Sequence, residues 1–295
     1  MPRDEPRPAE ARRALRIDLE PQLRGPPGPR RPHASHVARH GRRRRDHRPA
    51  DRRAGPCMSH SFEGRCPVCE AETRFESPDD WLRDHLRCVS CGSIPRERAF
   101  AWCLDRYRPG WRDEVVHECS PGGTRLSERL RTGCPDYVAS QYWPDRAPGS
   151  VHEGVRCENL EKLTFEDRSV DLHCHLDVLE HVNSPEACFA EMERTLRPGG
   201  AMLFTTPVYA EIAETARTAY YDDKGVCHFL GAAEYHGNPI DDAGSPVTFH
   251  YGRNLAFLVT LWTRSCRVQQ IALCAPDLGV VGDFCDVFLV EKDAA

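Results

Sequence analysis

The 295-residue chain has no apolar run near the roughly 18 residues that span a bilayer; its longest lies around Leu255–Trp262. Its first residues also lack the apolar stretch of a secretory signal. That absence weighs against a disulfide scaffold, although the chain has 15 cysteines, an odd number. Those thiols are expected to be reduced, buried or metal-bound, in a cytoplasmic setting. Residues 1–57 lack lysine and have few large apolar side chains. They carry 16 arginines, 7 acidic residues and ten prolines, a net charge of about +9. Such a segment cannot bury enough surface to offset its ordering entropy. The expectation is a disordered Arg/Pro-rich extension, with a basic arm for nucleic acid or an acidic partner as the functional alternative. Met58, just ahead of the first globular pattern, is a candidate start. Beyond residue 57 positive charge is scarce: 24 basic against 38 acidic residues leave about −14. An acidic body argues against tight binding to a phosphate backbone. With 40% hydrophobic residues it can still bury a real core.

What is present begins with Cys66-Pro-Val-Cys69, followed by Cys88-Val-Ser-Cys91-Gly92. Each two-residue spacer forms a tight turn that points both sulfurs at one ion, and the second pair completes a tetrahedron. Residues 58–94 are therefore expected to form a small zinc-binding, zinc-ribbon-like module. Four thiolates leave no open coordination position, so the metal is expected to be structural. A redox or iron–sulfur role is the alternative, and His85 is a candidate substitute ligand.

Residues 95–295 read as one unit. Pro95 opens a helix with Ala99, Trp102, Cys103 and Tyr107 on one face, ending at Arg108-Pro109-Gly110. A strand over residues 114–118 then runs into Cys119-Ser120-Pro121-Gly122-Gly123, and Thr124 starts the next helix. A strand, a small-residue turn and a helix N-terminus together form a cradle where bare amides attract polar groups. Further strands are expected at 137–140, 155–157, 170–175, 201–205, 268–273 and 283–290. Helices are expected at 184–196, 208–221 and 252–263. Strand–helix alternation predicts an α/β fold, a doubly wound, mostly parallel seven-stranded sheet with ligands at the carboxyl ends of its strands.

The stretch from Leu163 to Leu172, then Asp177-Val178-Leu179-Glu180-His181-Val182, then Leu196-Arg197-Pro198-Gly199-Gly200 before a strand, resembles class I S-adenosylmethionine-dependent methyltransferases. The likeness extends over about residues 95–292 and lies nearest the broad methyltransferase type 11 group. Residues 140–142 and 235–240 resemble a bacterial subgroup of it. The resemblance implies a Rossmann-like fold and S-adenosyl-L-methionine as cofactor. By position, Glu118, Ser120, Pro121, Gly122 and Gly123 would lie beneath the methionine part. Ser140 and Gln141 stand where an acid usually grips the ribose. Glu158, Asn159 and Leu160 fall beside the adenine, and Asp177 and His181 face the sulfonium and substrate. Two departures stand out: the first-motif glycines are partly replaced by Ser120 and Thr124, and the ribose-gripping acid is missing.

Methyl transfer from a sulfonium needs mainly alignment of the acceptor. An oxygen acceptor can require a base, for which His181 is the candidate. The polar stretch 208–251 supplies substrate-pocket candidates: Tyr220, Tyr221, His228, Tyr235, His236 and Asn238. These features predict a methyltransferase for a small molecule such as a sugar, lipid or secondary-metabolite precursor. One alternative is an RNA methyltransferase in which the zinc module and the basic arm hold RNA, with Arg83, Arg87, Arg96 and Arg98 as local basic residues. Another is a non-catalytic zinc-containing interaction scaffold, motivated by the altered first motif.

Overall fold

The computed structural model describes residues 59–238 and 243–294. The expectations for residues 1–57, for Met58 and for 239–242 fall outside them.

The first strands alternate half-buried and exposed residues, the pattern of a sheet with one covered face. β1 (His60–Arg65) pairs antiparallel with β2 (Glu72–Ser77), setting Phe62 opposite Phe75, and β2 pairs with β3 (Arg87–Cys88). Helix α1 (Leu82–His85) lies between β2 and β3. This small sheet shares a core with the larger unit: Cys66, Phe75 and Leu86 belong to the same buried cluster as Phe100, Leu104 and Val280.

The larger sheet is mixed and has eight strands. Strands β4 (Val116–Cys119), β5 (Tyr137–Gln141), β7 (Val155–Cys157), β8 (Val170–Leu176) and β9 (Leu196–Thr205) run parallel. β16 (Cys266–Ile271) and β17 (Val287–Lys292) close one edge antiparallel. With β6 (Val151–His152) at the other edge, the spatial order is β16-β17-β9-β8-β4-β5-β7-β6. The strand beyond the expected seven is β6, which folds back on β7 through Glu153 and Gly154, both left-handed. Two residues carry no periodicity, so nothing in the sequence announced it.

Why the inner strands read as unbroken apolar runs is visible in β9. Ala201 and Leu203 enter one buried cluster, Met202 and Phe204 the other. Period-two alternation thus serves two cores at once. Helices α2 (Pro95–Tyr107) and α3 (Arg125–Gly133) cover the first face. Helices α4 (Pro185–Thr195) and α5 (Leu255–Trp262) cover the second. Thr124 and Ser184 cap α3 and α4 with their hydroxyls, accepting from the amides of Ser127 and Ala187.

The helix expected over 208–221 is absent. Two short strands, β10 (Ala216–Arg217) and β11 (Ala219–Tyr221), occupy its second half. The local spacing of Val208 and Ile212 suits a helix, but tertiary pairing wins. Tyr209 donates its amide to the Tyr251 carbonyl, and β10 pairs with β15 (Phe249–His250).

Candidate functional site

The strand order reverses about β4: β5 continues on one side and β8 on the other. The carboxyl ends of these three strands flank the crevice where ligands of open α/β sheets lie. The turn after β4 opens with Ser120 at φ 57° and reaches Gly123 at φ 64°. A Cβ on Gly123 would meet nothing within 4 Å, whereas one on Gly122 would lie 3.2 Å from the Thr124 methyl. The turn is thus an open ledge at the start of α3, and it fits the close approach of a ligand. Ser120 donates its hydroxyl to Gln141 Oε1 at 2.9 Å, and its amide reaches the Ser140 carbonyl at 2.7 Å. Gln141 therefore flanks the ledge where an acid was missed.

Other residues expected here support the crevice from within. Glu118 is buried and accepts from the Ser127 and Tyr137 hydroxyls, each at 2.6 Å. Burial pushes its carboxyl above the ordinary range, against those two hydrogen bonds. Ser140 is fully buried and lies at the head of a hydrogen-bond chain. Thr195 donates to the Glu191 carbonyl at 2.9 Å, so His173 Nε2–H donates to Thr195 at 2.8 Å. His173 Nδ1 then accepts from His117 Nδ1–H at 2.8 Å, and His117 Nε2 accepts from the Ser140 hydroxyl at 2.7 Å. Burial keeps both rings neutral, lowering His117 to about 3 and His173 well below its ordinary value.

Beyond β7, Glu158 is pinned by Arg156 and by the Thr164 amide at 2.8 Å. Asn159 Oδ1 accepts from the Glu161 amide at 2.9 Å, and Leu160 packs into the second core. Only Asn159 keeps a polar group at the loop surface for the adenine role the resemblance implied.

At the end of β8, Asp177 is left-handed (φ 52°). Its carboxylate meets Arg83 Nη2 at 2.6 Å, Arg96 Nε at 2.9 Å and the Thr205 hydroxyl at 3.0 Å. Burial opposes its charge, but Arg96 and Arg83 hold it below the usual carboxylate range. Arg98 is fully buried, donating to the carbonyls of Gly279 (2.7 Å), Leu86 (2.8 Å) and Ser93. Three of the four arginines read as an RNA patch are thus committed inside the protein.

The turn Leu179–His181 follows. Stretch 206–251 is fastened to it: Thr248 donates its amide to the Glu180 carbonyl at 2.7 Å, and Tyr251 its hydroxyl to the Leu179 carbonyl at 2.8 Å. His181 Nδ1 donates to the Pro246 carbonyl at 2.8 Å. His236 stands edge-on to His181, with ring centroids 5.2 Å apart. Of the six pocket candidates, His236 is the one that packs against the His181 ring. Tyr220 stacks on His228 across the β11–β12 (Cys227–Phe229) hairpin, and His228 pairs with Asp222 at 2.8 Å. Tyr221 binds Asn183, exposed Tyr235 leans on Phe229, and Asn238 is half-buried just past β13 (Tyr235–His236).

The four module cysteines converge. Cys66 and Cys91 sulfurs are 3.8 Å apart, Cys69 and Cys88 sulfurs 3.9 Å, and all four lie within 4.8 Å of one another. A tetrahedron with metal–sulfur bonds of about 2.3 Å has edges of about 3.8 Å, so the set fits one zinc ion. Both knuckles turn on a left-handed residue one place past the second cysteine: Gly92 at φ 77° and Glu70 at φ 60°. His85 instead binds Asp79 at 2.8 Å.

Residues 121–204 match the family model described as a methyltransferase domain. Over that stretch the chain is similar to methyltransferase domains. The matched stretch runs from the ledge after β4 through β9, the part of the sheet that builds the crevice. A Mycolicibacterium smegmatis protein named as an S-adenosylmethionine-dependent methyltransferase is 31% identical, over 30% of this chain and 45% of its own. An uncharacterized methyltransferase of Mycobacterium marinum is 32% identical, over 37% and 42%. The chain spans less than half the length of these curated relatives. A crystal structure of an S-adenosylmethionine-dependent methyltransferase from Mesorhizobium loti aligns with 66% of this chain and 98% of its own, at 15% identity and TM-score 0.43. The four-cysteine module and stretch 206–251 lie outside the matched methyltransferase segment.

Proposed function

We propose that the protein is an S-adenosylmethionine-dependent methyltransferase acting on a small molecule. The observation that carries this reading is the coincidence of the family match with the β4 ledge and the crevice beside it. Bound there, S-adenosylmethionine would supply an electrophilic methyl group on a sulfonium. The residues around it have positional tasks. Gly122 and Gly123 admit the close approach, Gln141 offers an amide at the ledge, and Glu118 braces the turn from below through Ser127. Alignment of acceptor and donor supplies the main rate enhancement in such a displacement.

A small acceptor is favoured over RNA because Arg83, Arg96 and Arg98 are neutralised or buried, and because stretch 206–251 is fastened at the crevice edge. Zinc in the four-cysteine set is assigned a structural role. A reducing, cytoplasmic setting is consistent with all fourteen described cysteines being free of disulfides. Among the described residues no helix is long and apolar enough to cross a membrane. The test is release of S-adenosylhomocysteine by the zinc-loaded full chain, with panels of small oxygen and nitrogen acceptors beside structured RNA. Stimulation by a small acceptor is expected; stimulation by RNA alone would overturn the substrate class.

A further inference from the structure

Glu180, His181 and His236 lie at the same strand ends, and their arrangement has a use that methyl transfer does not require. Glu180 is 1% exposed. Its Oε2 accepts from the Thr206 hydroxyl at 3.0 Å, while its Oε1 is buried and accepts no hydrogen bond. A buried carboxylate oxygen left in that state carries its full desolvation penalty, larger when charged. Oε1 faces two imidazole nitrogens: His181 Nε2 at 3.8 Å and His236 Nδ1 at 3.7 Å. Both distances exceed a hydrogen bond, and all three atoms lie within 4.8 Å of one another.

The far side of each group is already held. His181 donates its Nδ1–H to the Pro246 carbonyl, which leaves Nε2 with a lone pair. His236 turns Nε2 toward the Glu234 carboxylate at 3.6 Å, leaving Nδ1 as the donor atom. Glu234 is itself fixed by His250 at 2.8 Å. A carbonyl or carboxylate behind each ligating imidazole is the outer-shell pattern that fixes tautomer and ring orientation at metal centres. The backbone sets the spacing: Glu180 and His181 share one short turn, and β13 pairs with β14 (Ser245–Pro246), placing His236 opposite Ser245, the neighbour of the residue whose carbonyl holds His181.

We propose that Glu180 Oε1, His181 Nε2 and His236 Nδ1 bind one divalent transition-metal ion at the crevice edge. Two imidazoles and one carboxylate suit zinc, iron(II) or cobalt(II) better than magnesium or calcium. Three protein ligands leave positions open for water or for an oxygen of a bound molecule. The side chains of His181 and His236 are 18% and 28% exposed, which gives an ion a way in. His181 is then a ligand and not a general base, since its Nε2 cannot serve both tasks. The geometry stands independently of the methyltransferase reading.

The test fills the thiolate site first with one equivalent of Zn2+, which four thiolates hold in preference to two imidazoles and a carboxylate, leaving the second site free. The zinc-loaded full chain is then titrated with Co2+ and followed by its weak visible absorption and by equilibrium dialysis. One Co2+ per chain is expected, with affinity falling at least tenfold in Glu180→Gln and in His236→Ala. Thermal melting shows that each variant is folded, and Glu180→Gln keeps its partner Thr206. Glu128→Gln, on the solvent side of α3, is the control and should bind as wild type. No saturable Co2+ uptake, or equal uptake by folded Glu180→Gln and His236→Ala, overturns the proposal. His236 would then be an imidazolium paired with two carboxylates. The loss of S-adenosylmethionine binding would leave this result untouched.

Discussion

Arg83 Nη2 stands 2.6 Å from Asp177 Oδ2, across 94 residues of chain. The contact ties the small module to the carboxyl end of β8, and Arg96, at the start of α2, holds the same carboxylate. Asp177 was expected to face substrate. Its carboxylate is instead held between two cations, which makes it a bracket between module and crevice. Replacing it strands those cations. Asp177→Ala is expected to cost about 3 kcal/mol, as for other largely buried pairs with one partner removed. Urea unfolding measures this, and a loss under 1 kcal/mol would show that the bracket contributes little.

Ser140 permits a sharper distinction. The resemblance placed it against the ribose, but its hydroxyl is committed to His117 at 2.7 Å inside the sheet. Ser140→Ala leaves a buried imidazole nitrogen unsatisfied, at a cost of about 1–3 kcal/mol. S-adenosylmethionine affinity should stay within about twofold at temperatures where the variant is folded. A large affinity loss with unchanged stability would return Ser140 to the ligand.

The histidines make stability pH-dependent. Burial lowers His117 and His175 to about 3, and His173 well below its ordinary value. In the unfolded chain they titrate near 6.5. Between these values the unfolded chain binds protons that the fold refuses. Stability therefore falls with falling pH, by about 1.4 kcal/mol per pH unit for each group. Glu97 and Glu118, shifted upward by burial, pull the other way just above about 4.5. His175 isolates one contribution. Both its nitrogens are buried without partners, and its ring stacks on Phe204 at 4.9 Å. His175→Leu should reduce proton uptake on unfolding at pH 5 by about one, without loss of stability at pH 7. Unchanged uptake would contradict the assignment.

Metal removal should be felt beyond the module. Phe75, Leu86 and Cys66 share a core with α2. Chelation of zinc, or Cys69→Ser, should lower the melting temperature of the whole chain in one transition. A melt in which only a small early step shifts would show the two sheets to be uncoupled.

Much of this was legible in the sequence. The spacing of Cys66, Cys69, Cys88 and Cys91 announced a tetrahedron because two-residue spacers leave little conformational choice. The helix starts at Thr124 and at residue 184, and the ledge from Ser120 to Gly123, followed from local chemistry. What escaped was non-local. Nothing near Asp177 signals Arg83, and Glu180 reads as an ordinary turn acid until β13 carries His236 beside it. The false helix over 208–221 has the same origin, local periodicity overridden by pairing with residues near Tyr251. Glu70, left-handed in the first knuckle, stands where a glycine would have been the readable signal.

The central claim is that the crevice beside the β4 ledge holds the methyl donor. Calorimetric titration of the zinc-loaded full chain with S-adenosylmethionine, and then with its demethylated product, tests it most directly. The account predicts micromolar binding of both at one site per chain, abolished by Gly122→Arg, whose side chain would cover the ledge. A folded, zinc-loaded chain that binds neither, or a Gly122→Arg variant that binds as well as wild type, would contradict it.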